Sequence, residues 1–191
     1  MNDFPKNRPD LGAMINYVDE RLTQSLDKRI AAYIDQYPAL LNLGQKAQSD
    51  ADLKALALAV YGWMPTTLKS YHFDGFDVSY VKGLDVQSAY DWLRSEAEPK
   101  VNNSWVGYSK FLHMLRPDLF PIWDSHIARA LGLKMYSTNR SGIYANYFYW
   151  VHFFALPKYG TELARLEKGI LENTTEIRRL EFAIFSAYQN I

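Results

Sequence analysis

The 191 residues carry 21 basic and 21 acidic side chains. Net charge is therefore zero, without the basic excess usual in strong non-specific nucleic-acid binders, though a local basic patch could still suffice. Hydrophobic residues at 48% and charged residues at 22% suit a globular chain with a buried core, and the absence of cysteine excludes disulfides and thiolate metal sites.

The opening MNDFPKNRPD lacks the apolar segment of a secretory leader. The longest apolar run, 143–156, falls short of the ~20 residues a membrane span requires. A cytoplasmic protein with no membrane partner is expected. Aromatics reach 15%, with 14 Tyr and 5 Trp, enough to fill a core or to line a pocket for a planar ligand.

Residues 1–9 read as a polar lead-in. From 10 to 37 the pattern predicts one long amphipathic helix. Leu11, Ile15, Val18, Leu22, Leu26, Ile30 and Tyr33 fall on one stripe, with Glu20, Asp27 and Lys28 opposite. Pro38 is expected to end it, and 39–43 to add at most a turn closed by Gly44. Ser49 or Asp50 caps a helix running to Trp63, whose apolar residues Leu53, Leu56, Ala57, Leu58, Val60 and Tyr61 wrap most of its circumference. The stretch 71–85, with two glycines and three aspartates, reads as an ordered loop, a small hairpin being the alternative. Residues 85–96 predict a helix with Val86, Ala89, Tyr90 and Leu93 inward.

Residues 103–133 predict helix, Pro-bounded elbow, helix. The first helix spans 104–115, with Trp105, Tyr108, Leu112 and Leu115 on one face. Pro117 stops it, and 118–123 is a stiff extended connection containing Pro121. Asp124 or Ser125 caps the second helix, and Gly132 is placed to end it in a left-handed conformation. A polar connection follows at 135–141. Residues 143–156 are apolar on nearly all sides, a helix for the middle of a bundle, ended by Pro157 and Gly160. Residues 161–171 form a helix with Leu163, Leu166 and Ile170 inward. The last helix starts at Asn173 or Thr174, with Asn173 and Glu176 as an approximate capping box. Its buried stripe is Ile177, Leu180, Ile184 and Ala187, widened by Phe182 and Phe185. The sum is seven to nine helices in one all-α domain, compact or in two helical lobes.

The string Asp124-Ser125-His126-Ile127-Ala128-Arg129, followed by Leu131-Gly132-Leu133 and preceded by Ile122, resembles a segment of the helix-hairpin-helix DNA glycosylase superfamily, endonuclease III and its relatives. The resemblance covers about thirty residues and marks 103–133 as a degenerate helix-hairpin-helix-like core motif. Trp105-Val106-Gly107 stands where the family hairpin carries two glycines. The missing cysteines exclude the iron–sulfur cluster of some relatives. The resemblance implies the family's fold, a DNA-repair N-glycosylase activity and double-stranded DNA as partner. It places Asp124 in the active site and Lys110 where strand-cleaving members hold their nucleophile. It also assigns phosphate contacts to the amides near Gly107; His126 and Arg129, three apart on one helix face, can contact phosphate or Asp124, or be a surface pair or partners for backbone carbonyls.

Residue chemistry leaves alternatives beside each role. Asp124 can be simply an N-cap, or a carboxylate that stabilises positive charge on a sugar. Lys110 can be a surface lysine, or an amine nucleophile if burial or a cation lowers its pKa. His113 shares its helix face and allows a mixed polar cluster. Tyr144, Tyr147 and Trp150 can stack on an extruded base or pack a core. His72, His113, His126 and His152 show no common ligand spacing, so no metal is predicted and no cofactor is implied. A non-catalytic helical scaffold that binds a protein or a small ligand is the second reading of the whole chain.

Overall fold

A computed structural model describes residues 9–22, 28–64, 66–95, 99–133 and 142–189. Ten α-helices are found among the described residues, and the sole β pairing there is an isolated antiparallel bridge between Tyr71 and Val101. The expectations for the lead-in, for Leu26 and Asp27, and for the connection 135–141 lie outside the described residues.

Helix α1, Leu11–Asp19, is capped by Asp10, whose side chain accepts from the Ala13 amide at 3.0 Å. Leu11, Ile15, Val18 and Leu22 are buried as the stripe requires, but the helix ends at Asp19 instead of running to residue 37. Helix α2, Lys28–Lys46, contains Pro38, which does not terminate it. Pro38 faces solvent, so the carbonyl deprived of its amide partner can bond water. The helix continues through Gly44, where an added Cβ would lie 2.0 Å from the Met114 carbonyl oxygen. That glycine lets α2 run backbone to backbone against α6, which spans Trp105–Leu115.

Helix α3, Asp50–Trp63, starts with a complete capping box between Ser49 and Asp52. The expected loop at 71–85 instead contains a short helix α4, Val78–Gly83, nucleated by Asp77, which accepts from the Tyr80 amide at 2.9 Å. Helix α5, Val86–Ser95, buries Ala89 and Leu93. Helix α7, Ser125–Ala130, ends as Gly132 demands. Gly132 has φ 75°, its amide donates to Arg129 and the Leu133 amide to Ala128, the bond pair of a Schellman turn.

Helix α8, Ile143–Trp150, does not stop at Pro157. It passes through a wide π-helical turn at Val151–Ala155 into α9, Leu156–Ala164. The Leu156 amide reaches back five residues to Val151. The wider turn makes room for the proline ring, which in a regular helix clashes with the carbonyl four residues before it. The rod also exposes part of its apolar surface, Phe153 and Phe154, so it is not central along its whole length. After α9 a 3-10 turn, Gly169–Leu171, replaces the second half of the helix expected at 161–171.

Helix α10, Glu176–Gln189, is capped by Thr175, whose hydroxyl accepts from the Arg178 amide; Asn173 sits in a left-handed turn before it. Buried residues from Leu11 to Ile184 form one hydrophobic cluster. Helix α10 lies against α1, α7 and α9, while α6 lies against α2 and α3. Helix α6 is buried along its length except at Val106 and Lys110, which are partly exposed. No helix among the described residues is long and apolar enough to cross a membrane.

Candidate active site around Asp124

The turn before α6 uses two consecutive left-handed residues, Asn102 at φ 50° and Asn103 at φ 47°. Asparagine tolerates that conformation better than other side chains with a Cβ. The Asn102 side chain also accepts from the Lys69 and Ser70 amides and donates to the Thr67 carbonyl. Gly107 lies in the first turn of α6, and a Cβ there would come within 2.0 Å of the Tyr61 hydroxyl. Its Cα face is thus filled by Tyr61.

After Pro117 the chain turns and then runs to Asp124 without helix or strand. Asp124 is the N-cap of α7: its Oδ1 accepts from the His126 and Ile127 amides, both at 2.9 Å. One oxygen serves both bonds of the cap. Asp124 is half-buried.

Lys110 projects from α6 with its Nζ 5.9 Å from the centre of the Trp63 ring. Burial pushes its amine below the usual lysine range; the Asp124 charge opposes that shift and Arg178 adds to it. One turn on, His113 is fully buried. Its Nδ1 lies 2.7 Å from the Phe120 carbonyl oxygen, which can only accept, so Nδ1 carries the proton. Nε2 is then the acceptor for the Tyr37 hydroxyl at 2.6 Å. Burial and the Arg178 cation push this imidazole down to about 3, so it is neutral.

Glu181 of α10 completes the cluster. It is buried, its Oε1 accepts from the Ile122 amide, and Oε2 accepts from the Arg178 guanidinium at 3.3 Å. Burial raises its carboxyl to about 8 despite Arg178. Arg178 in turn lies over the Tyr37 ring at 4.9 Å.

Of the other predicted residues, His126 meets Phe185 edge-on at 5.2 Å and Arg129 is exposed on α7. Tyr144, Tyr147 and Trp150 are buried at 1%, 0% and 8% exposure. Tyr144 stacks on Trp105, and its hydroxyl donates to the Pro121 carbonyl. Tyr147 packs on Trp123 at 4.9 Å, and its hydroxyl has no hydrogen-bond partner among the described residues. A base stacked on these rings would displace that packing.

The structure thus brings Lys110 and Asp124 into one electrostatic cluster with Tyr37, His113, Arg178 and Glu181. Sequence reasoning missed Tyr37, Arg178 and Glu181. Glu181 left one signal: it sits four residues after Ile177 and three before Ile184, a charge inside an apolar stripe. Among the described residues no group of His, Asp and Glu is placed to hold a metal ion. A surface cleft lined by Asp50, Lys54, Tyr71, His72 and Asp74 borders none of the predicted site residues. Compared with family models, with curated proteins and with solved structures, the chain gives no match.

Proposed function

We propose that the chain is a DNA N-glycosylase-like protein of the helix-hairpin-helix kind, acting on or binding a damaged, extruded base. The features that support this reading are the Asp124 carboxylate at the start of α7 and a lysine on α6, Lys110, whose amine is near enough to feel its charge. A lysine amine with depressed pKa feels, as its strongest opposing charge, the carboxylate that caps α7.

Breaking an N-glycosidic bond leaves positive charge on the sugar. Held rigidly through Oδ1, Asp124 would turn Oδ2 toward that charge and stabilise it. Water or the Lys110 amine would attack the sugar carbon as the base departs. With the amine, the base leaves with the bonding pair and takes up a proton from solvent, an N–H proton passes to the ring oxygen as its bond to the same carbon opens, and the product is a Schiff base to the ring-opened sugar. Phosphate contacts would fall to His126, Arg129 and the first-turn amides of α6 around Gly107. The second reading, a non-catalytic scaffold for a protein or small ligand, is favoured by the zero net charge and by Tyr61 filling the face of Gly107.

The test incubates the protein with duplexes carrying a panel of base lesions. Wild-type protein is expected to release base, and Asp124→Asn, which keeps the cap, to lose at least about a hundredfold in rate. Absence of release from every lesion refutes the enzyme. Absence of duplex binding as well leaves the scaffold reading.

A further inference from the structure

The segment that delivers Asp124 is secured residue by residue from other helices. The Leu119 carbonyl accepts from His152 Nε2 at 2.7 Å, and the Phe120 carbonyl from His113 Nδ1. The Pro121 carbonyl accepts from the Tyr144 hydroxyl. The Ile122 amide donates to Glu181 Oε1. The Trp123 amide donates to Ser109 Oγ at 2.9 Å, and that hydroxyl lies 3.3 Å from the Trp123 carbonyl. Five side chains from α6, α8, the π turn and α10 thus hold five consecutive backbone positions directly before the carboxylate.

Four of these side chains are neutral groups doing what buried polar groups must do. The fifth is a carboxyl, costly to bury in either protonation state and more so when ionised. Its costs are limited by Arg178 and by the Ile122 amide, which an apolar side chain at 181 would leave unpaired. Charged or titratable groups face Glu181 from every neighbouring element: Arg178 on α10, Lys110 and His113 on α6, Asp124 on α7, Tyr144 and Tyr147 on α8, and Tyr37 on α2.

We infer that Glu181 is a positioning residue: through the Ile122 amide it fixes the segment 119–123 and so the place of Asp124, two residues further on. The inference rests on the glycosylase reading for its chemical purpose, but its structural content does not.

Two variants of the full chain test it. Glu181→Gln keeps an acceptor for Ile122, whereas Glu181→Met fills the space without one. Amide hydrogen exchange is followed at Ile122, at the Asp124-bound amides of His126 and Ile127, and at Leu56 in α3 as a control. Glu181→Met is expected to speed exchange at the first three by at least about tenfold and to leave Leu56 unchanged, while Glu181→Gln stays within about threefold of wild type. Single-turnover base release should fall with the same ranking while lesion-duplex Kd holds within about twofold.

Native protection at Ile122, His126 and Ile127 in the Met variant overturns the inference, as does a Gln variant as impaired as Met. A loss of release matched by a loss of binding also overturns it. Should Met unprotect Leu56 and so unfold the chain, Glu181→Asp decides, since it keeps the carboxyl but withdraws it by one methylene. It should loosen the same three amides, and native protection in it overturns the inference. A wild type that releases no base sinks the glycosylase reading, while the exchange pattern still decides the positioning role.

Discussion

Glu181 and His113 make the stability of the fold a shaped function of pH. The Glu181 carboxyl, ordinarily near 4.5, is held at about 8 by burial. Between those values the folded chain binds a proton that the unfolded chain has lost, so stability falls as pH rises. The His113 imidazole, ordinarily near 6.5, is pushed to about 3 by burial and Arg178. Between those values the unfolded chain binds the extra proton, so stability rises with pH. The two slopes are opposite and each is worth about 1.4 kcal/mol per pH unit. They cancel where they overlap, from 4.5 to 6.5.

Together the two groups should therefore contribute no net slope there, with a loss of about 2 kcal/mol from pH 6.5 to 8 and a similar loss on the acid side, on top of the rise with pH that the lowered His152 imidazole adds below 6.5. Glu181→Gln removes one slope. Relative to wild type its stability should climb by roughly 3 kcal/mol between 4.5 and 6.5 and by about 2 kcal/mol more to pH 8. Urea unfolding monitored by circular dichroism at half-unit intervals measures both curves. Parallel curves from 4.5 to 8 would refute the reasoning, because Glu181 would then titrate alike in both states.

Other predictions concern single atoms. If Lys110 attacks the sugar, borohydride added during base release should give a covalent protein–DNA adduct that Lys110→Met abolishes; release without an adduct removes Lys110 as nucleophile. Gly44→Ala drives a Cβ into the Met114 carbonyl at 2.0 Å and should cost roughly 1–3 kcal/mol or more in a denaturant titration. Gly62→Ala, in α3 with nothing within 4 Å, should instead gain about 0.5–1 kcal/mol. Tyr147→Phe deletes a buried hydroxyl with no partner among the described residues and should change stability by less than about 1 kcal/mol. A larger loss would mean that the hydroxyl is bonded.

Local signals carried the sequence reading where the cause was local. Ser49 with Asp52, Asp124 before α7 and Gly132 after it each satisfy backbone groups within a few residues, so their spacing is legible. The prolines misled because their cost is local but its compensation is not. Pro38 is carried by burial of Tyr37 and Leu40 on either side and by the approach of Gly44 to Met114, 70 residues away in the chain. Pro157 is carried by a π turn that no periodicity announces. In the candidate site the same division holds. The motif points to Asp124 and Lys110, whereas Tyr37 and Glu181 enter through bonds to His113 and Ile122 at separations of 76 and 59 residues. Periodicity ranks side chains by face, and it cannot say which distant backbone group a buried carboxyl will meet.

The two asparagines before α6 separate conformation from bonding at adjacent positions. Both are left-handed, at φ 50° and 47°, a conformation that costs most side chains roughly 1–2 kcal/mol. Asn103 is exposed, and glycine would adopt the same backbone without that cost. Asn103→Gly should therefore be neutral or stabilising, while Asn103→Ala should lose about 1 kcal/mol. Asn102→Gly frees the same dihedral but removes the side chain that ties residues 67–70 to the turn with three hydrogen bonds. At about 1 kcal/mol each, the loss should reach a few kcal/mol, partly offset by the relief at φ. It should also speed exchange of the His72 amide, whose bond to the Lys100 carbonyl closes the bridge beside that turn. Equal effects of glycine at 102 and 103 would show that the turn is set by backbone freedom alone, and that Asn102 does not anchor the entrance to α6.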